Sequence, residues 1–187
     1  MLESEFGEYE ANSKKVVESL RRQIATIRTW RAAPALIEEF QVDAYGDKLP
    51  IRQLGNVSVP ETRMIVVQPY DNSTLKAIEK ALQRAELGYT VNNDGRLIRV
   101  MIPRLTQEKR RELAKQLLAC REDAKVALRN ARRDFMDVLR KLNIDHVITE
   151  TEHHDAMDRA ISILNQYTKE VDAIAQVKED EIMDPKN

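Results

Sequence analysis

Arg110, Arg121, Lys125, Arg129 and Arg132 fall within about 100° of one another on a helical wheel that advances ~100° per residue. Four of these five cations are arginines, whose planar fork fits phosphate oxygens. A line of such charges along one helix is chemistry for holding a phosphate backbone. Few aromatic residues interleave with it, which points to backbone and shape recognition of folded RNA over stacking on single strands. The plainer reading of the same stripe is a solvated face paired with acidic neighbours.

Other chemistries find little support. The chain has one cysteine, Cys120, and three histidines, His146, His153 and His154. A cysteine zinc site and an internal disulfide are therefore excluded. Cys120 falls among the apolar positions of its helix and reads as a small core residue. His154 and Asp158 stand four apart on a helix, a spacing compatible with metal ligation, but one such pair is weak support for a site. No glycine-rich phosphate loop, Gly-x-Ser-x-Gly or His-Glu-x-x-His motif occurs. The expectation is a binding or mechanical factor with no enzymatic activity, no cofactor and no metal. The polar, acidic N-terminus and the lack of a long apolar run predict a cytoplasmic protein away from membranes.

The elements that must carry the stripe follow from composition and periodicity. In 187 residues, 33% are charged, 5% are aromatic and five are glycine, which favours long helices. Residues 1–29 read as one helix with Phe6, Tyr9, Ser13, Val16, Leu20, Ile24 and Ile27 along one face. Residues 30–104 hold most of the prolines and glycines and read as a small α/β domain. Its elements are a strand at 40–44, a turn at 45–48, a strand at 64–68, a helix after the Asp71 cap, and a hairpin turning at Asp94-Gly95. A second long helix, capped by Thr106, runs to about Asn143. Its predicted seam comprises Leu113, Leu117, Cys120, Ala124, Ala127, Ala131, Phe135, Val138 and Leu142. Thr149-x-x-Glu152 fits a capping box and opens a third helix through Met157, Ile161, Leu164, Val171 and Ile174.

Three long amphipathic helices need one another to bury their stripes. The expected architecture is α+β: a long three-helix bundle from 1–29 and 105–187, with the α/β domain of 30–104 inserted after its first helix. Hinges are expected where the chain crosses, near 30–33 (Trp30, Ala33) and 103–106 (Pro103, Arg104, Leu105, Thr106). Residues 105–145 carry eleven Lys and Arg against seven Asp and Glu, net +4, whereas residues 146–187 carry four against ten, net −6. The overall charge of −1 thus hides a basic helix and an acidic one.

Several motifs then coincide in order and spacing: Arg28-Thr-Trp-Arg31-Ala-Ala-Pro34, Gln53-Leu-Gly-Asn56-Val-Ser-Val-Pro60-Glu61, Asn93-Asp94-Gly95, Pro103-x-Leu105-Thr106-x-Glu108 and Arg129-Asn130-Ala-Arg132-Arg133-Asp134. Through them the chain resembles the bacterial ribosome recycling factors over nearly its whole length. The resemblance implies an L-shaped molecule with the outline of a transfer RNA. It implies binding across the tRNA sites of the large ribosomal subunit, and splitting of the post-termination ribosome with elongation factor G, which supplies the GTP hydrolysis. A monomer is expected. By position, Arg132, Arg129 and Arg110 correspond to arginines that touch ribosomal RNA in that family, with Arg133 in the same motif, and Arg28 and Arg31 to arginines at the hinge end. Trp30 stands where the family has glycine, Ala131 where it has isoleucine and Phe135 where it has alanine. The competing expectation is an interaction protein whose helix faces dock partner helices. A metal-dependent enzyme built on His154 and Asp158 is the third.

Overall fold

The computed structural model describes residues 1–184. The chain divides into two compact units, Met1–Ile27 with Glu108–Met183, and Arg28–Gln107 with Asp184. Among the described residues, no helix is long and apolar enough to cross a membrane.

The first unit consists of α1 (Leu2–Ala25), α4 (Gln107–Ile144) and α5 (Glu150–Met183). Helix α1 stops four residues short of the expected 29. The Thr26 hydroxyl donates to the Gln23 carbonyl at 2.6 Å, and the Ile27 N–H donates to Ile24 O, tightening the last turn. The capping box forms as expected: the Thr149 N–H and hydroxyl both donate to the Glu152 carboxylate, and the Glu152 N–H donates back to Thr149 Oγ1 at 3.2 Å.

The buried faces are rotated from the expected ones. In α1, Val17 is buried where Val16 was expected. In α4, Leu128 and Leu139 are buried, Val138 is exposed, and Cys120, Ala127, Ala131 and Leu142 are only half-buried. In α5 the buried set is Ala156, Ala160, Ile163, Tyr167, Val171, Ala175 and Ile182, while Ile161 is exposed and Met157, Leu164 and Ile174 are half-buried. On α5 the physical reason is size: the Tyr9 hydroxyl of α1 donates to the Ala160 carbonyl at 3.2 Å, and small side chains there leave room for the ring.

The corrected cores share a period. Phe6 and Val17, Tyr9 and Leu20, Ser13 and Ile24 are each eleven residues apart, as are Leu113, Ala124 and Phe135, then Leu117, Leu128 and Leu139, and in α5 Ala160, Val171 and Ile182. Eleven residues in three turns is about 3.67 per turn, close to the natural ~3.6. A stripe with this period stays on one side of a nearly straight helix over its full length.

The second unit contains β1 (Gln41–Ala44), β2 (Asp47–Pro50), the short α2 (Ile51–Leu54), β3 (Gly55–Glu61), β4 (Met64–Pro69), α3 (Leu75–Arg84), β5 (Thr90–Asn93) and β6 (Ile98–Met101). β1 and β2 form an antiparallel hairpin, and the other strands form an antiparallel sheet in the order β3-β4-β6-β5. Ile65, Val67, Ile98 and Val100 alternate inward and are fully buried against Ile78 of α3, with Leu75 and Leu82 beside it. The β5–β6 turn forms as the Asp94-Gly95 pair predicts: Asp94 Oδ1 accepts from the N–H groups of Arg96 and Leu97, each at 2.9 Å.

Gly55 has a steric reason. A Cβ there would lie 2.6 Å from the Gln68 carbonyl oxygen and 3.0 Å from Pro69 Cα, both backbone atoms of the paired strand. Gly55→Ala is expected to force β3 and β4 apart and cost about 2 kcal/mol, a typical overpacking penalty. Urea unfolding checks it: the midpoint falls, whereas Gly7→Ala, which meets nothing within 4 Å, leaves it in place or raises it.

Candidate nucleic-acid interface

The basic stripe of α4 is in phase with its core. Arg110, Arg121 and Arg132 are also eleven apart, each three residues before a buried residue (Leu113, Ala124 and Phe135). That offset places their side chains along the rim of the seam. All three, and Lys125, are half-buried, whereas Arg129 and Arg133 are exposed. One spacing thus sets both the packing and the line of charge.

The stripe has two parts. In its middle, Arg121 Nε and Lys125 Nζ both hold Asp172 Oδ1 on α5, at 2.9 and 2.8 Å. The hydrogen bond from Lys125 is the main cause holding the Asp172 carboxyl below its usual range, with both positive charges adding to it. The solvated-face reading applies to these two cations. In the C-terminal part, Arg129, Arg132 and Arg133 have no ion pair among the described residues.

Arg132 is the best supported of the three. Phe135, one turn on, stacks on Tyr9 with ring centroids 4.9 Å apart and 10° between planes, and meets Phe6 at 4.7 Å. Arg159 covers Phe6 from outside, 3.9 Å from the ring centroid, and also pairs with Glu3 at 2.6 Å. Burial pushes the Tyr9 phenol up to about 12, opposed by the positive charge of Arg132. The Arg132 Nε is buried and meets no acceptor among the described residues. A buried donor left this way costs about 1–3 kcal/mol and calls for a reason.

The residues predicted at the hinge end and the hinges lie apart from this cluster in the sequence and belong to the second unit. Arg28 is exposed, and Arg31 pairs with Asp184. Ala33 precedes a single 3-10 turn at Pro34–Leu36. Pro103, Arg104 and Thr106 are exposed and Leu105 is buried. His154 and Asp158 are both exposed, and among the described residues no three His, Cys, Asp or Glu side chains converge as metal ligands. The sequence reading missed Asp172 as a partner of the stripe; its only signal was the acidic character of the third helix.

Asp172→Asn tests the division of the stripe. Its depressed carboxyl contributes stability above about pH 4, the ordinary carboxylate range, which is lost as pH falls through the folded-state value. Because the side chain is 40% exposed, the loss at pH 7 is expected to be about 1 kcal/mol or less. Thermal melts should show the difference from the unmodified protein vanish in acid. The substitution also releases Arg121 and Lys125, so affinity for anionic ligands should rise.

Residues 20–183 match the family model described as ribosome recycling factor. The chain is 48% identical over 183 residues to the ribosome-recycling factor of Chloroflexus aggregans, covering 98% of this chain and 99% of that one. This chain belongs to the ribosome recycling factor family. It is 47% identical to the relative from Roseiflexus castenholzii, over 98% of this chain and all of that one. Among solved structures, a ribosome recycling factor in solution matches at 42% identity and a TM-score of 0.66, covering 97% of both chains. The T. thermophilus ribosome recycling factor, placed with E. coli elongation factor G on the E. coli post-termination complex, matches at 35% identity and 0.59, covering 98% and 99%.

Against the ribosome recycling factor pattern, Trp30 is the informative departure. Its φ is 59°, in the left-handed region that glycine enters freely and that costs other residues about 1–2 kcal/mol. Its ring is half-buried against the core of the α/β unit, and that contact offsets the strain. Trp30→Ala is expected to keep the strained backbone and lose the ring, costing about 2 kcal/mol. Trp30→Gly loses the ring but relieves the strain, so glycine should be the more stable of the two by about 0.5–1 kcal/mol. Denaturant titration of both variants gives the order; alanine at or above glycine would contradict the left-handed backbone.

Proposed function

We propose that this protein recycles ribosomes: it binds the post-termination ribosome across the large-subunit tRNA sites and, with elongation factor G and GTP, splits it into subunits and frees it from the messenger. The observation that carries the reading is the C-terminal part of the basic stripe, Arg129, Arg132 and Arg133, without an ion pair among the described residues and within the Arg-Asn-x-Arg-Arg-Asp motif. Partnership with elongation factor G rests on the T. thermophilus relative.

In this reading the three-helix unit is the anchor. The arginine forks of α4 take rRNA phosphates as bidentate pairs, and turning the Arg132 fork onto a phosphate gives its idle Nε an acceptor. The crossings near Trp30–Ala33 and Pro103–Thr106 act as hinges. Elongation factor G pushes the α/β unit through them against the contacts that join the subunits. GTP hydrolysis belongs to that partner, and this chain, a cytoplasmic monomer, works as a lever. A stiff bundle suits a lever, because a core with an eleven-residue period needs little supercoiling.

The test is subunit splitting with purified 70S-type ribosomes, elongation factor G and GTP. Light scattering should fall on addition of this chain and stay level when GTP is replaced by a non-hydrolysable analogue. No splitting with an active elongation factor G would overturn the reading.

A further inference from the structure

We propose that the α/β unit carries a second RNA-backbone site of its own, in the groove between the β1–β2 hairpin and α3. The groove has a volume of about 760 Å³; Lys76, Lys80 and Arg84 of α3 line it from the helix, Lys48 and Asp43 from the hairpin, and Phe40 also lines it. The proposal rests on the ribosome-bound reading above for the source of the RNA.

The sequence builds one wall by periodicity. Lys76, Lys80 and Arg84 recur every four residues, so they stand on one face of α3, with about 6 Å of rise per step. Leu75, Ile78 and Leu82 hold the opposite face in the core and so fix the basic face outward. On the other wall, Asp43 and Lys48 are direct cross-strand partners and share one side of the hairpin.

All four cations are exposed, and none makes an ion pair or hydrogen bond among the described residues. Glu79, the acid of α3, is turned to Asn93, which donates to it at 3.0 Å. Four positive charges therefore face a single carboxylate.

The groove is also held open at a set width. The hairpin turns through Tyr45 and Gly46, with φ of 55° and 81°, a tight turn with two consecutive left-handed residues. Tyrosine is strained there, and its hydroxyl donates to Asp71 Oδ2 at 2.6 Å. Asp71 Oδ1 in turn accepts the Ser73 N–H at 2.9 Å, in the cap just before α3. The hairpin tip is thus latched to the start of the helix.

Charge in a row with small residues between is what a phosphate backbone needs. A protein partner would need a large apolar anchor in the groove, and the lining offers only alanines and the half-buried Phe40. The three lysines act as point charges and the Arg84 fork suits phosphate oxygens, so the site tracks backbone and does not read bases.

The test uses the full chain with p-benzoylphenylalanine in place of Lys76, irradiated on 70S-type ribosomes with and without elongation factor G and GTP. A control chain carries the same group in place of Arg133. Position 76 is expected to label rRNA in at least one state. In parallel, the triple variant Lys76→Ala, Lys80→Ala, Arg84→Ala should lower the log–log salt slope of ribosome binding by about 2–3. All three side chains are exposed, so folding is expected to be intact, as checked by circular dichroism. Label in protein only, no label, or an unchanged slope overturns the groove. If the Arg133 control also fails to label RNA, the ribosome-bound reading itself falls; if only position 76 fails, that reading stands without the groove.

Discussion

Arg132→Ala is expected to weaken binding to large ribosomal subunits about tenfold near physiological salt, and to reduce the slope of log affinity against log salt by about one. The prediction follows from how the side chain is held. It is half-buried one turn before the buried Phe135, and its charge acts on the Tyr9 phenol. Its Nε is buried with no acceptor among the described residues, so a phosphate that draws the fork outward satisfies a donor left idle in the free protein. Arg129 and Arg133 are exposed and should each contribute less affinity but a similar share of the slope. Replacing all three should cost about a hundredfold or more. Arg132→Lys should recover the slope but not the affinity, because an ammonium keeps the charge without the fork. Co-sedimentation over a salt series measures both quantities. An affinity unchanged by Arg132→Ala would remove this residue from the interface. A fall in affinity with the slope intact would mean that it acts through packing.

The same helix shows what a sequence reveals and what it hides. The stripe was legible because it depends on one periodicity within one helix. Asp172 as its partner was not, because that contact depends on the rotation and register of α5 against α4, which no local pattern encodes. The core phase failed for a related reason. Met157, Ile161 and Leu164 are the larger side chains and attract the assignment. Yet the bundle buries Ala156 and Ala160, because Phe6 and Tyr9 on the facing helix already fill the space. In the α/β unit, the Thr149-Glu152 kind of local signal recurs at Asp94-Gly95, which turned out as predicted, and at Asp71, which caps the 3-10 turn Asn72–Thr74 leading into α3 and not α3 itself. β2 and β3 did not stand out: β2 is four residues ending in proline, and β3 begins at a glycine needed for close approach and runs through Pro60. Trp30 shows the two levels meeting. The sequence flags a tryptophan where glycine is expected, and the backbone angle explains why glycine fits there.

Phe135→Ala is expected to have the largest effect on stability, about 3–4 kcal/mol, the usual cost of deleting a buried phenylalanine. Phe135 is 5% exposed and is the ring that both Phe6 and Tyr9 contact. Its loss leaves Phe6 and Tyr9 beside a cavity one turn from Arg132, so RNA affinity should fall with it. The neighbouring Ala131 offers a way to test why phenylalanine is there. Ala131, Phe135 and Tyr9 line one cleft of about 110 Å³ between α1 and α4. An isoleucine at 131 would project into that cleft, and an alanine at 135 would make room for it. Ala131→Ile alone should destabilise by about 1–2 kcal/mol through overpacking. Combined with Phe135→Ala it should instead restore at least 1 kcal/mol, giving a coupling well outside the range of independent sites. The four proteins of this cycle, unfolded in urea, give the coupling directly. Additive losses would show that the two positions do not share volume, and the small-for-large exchange along this helix would then have no packing basis.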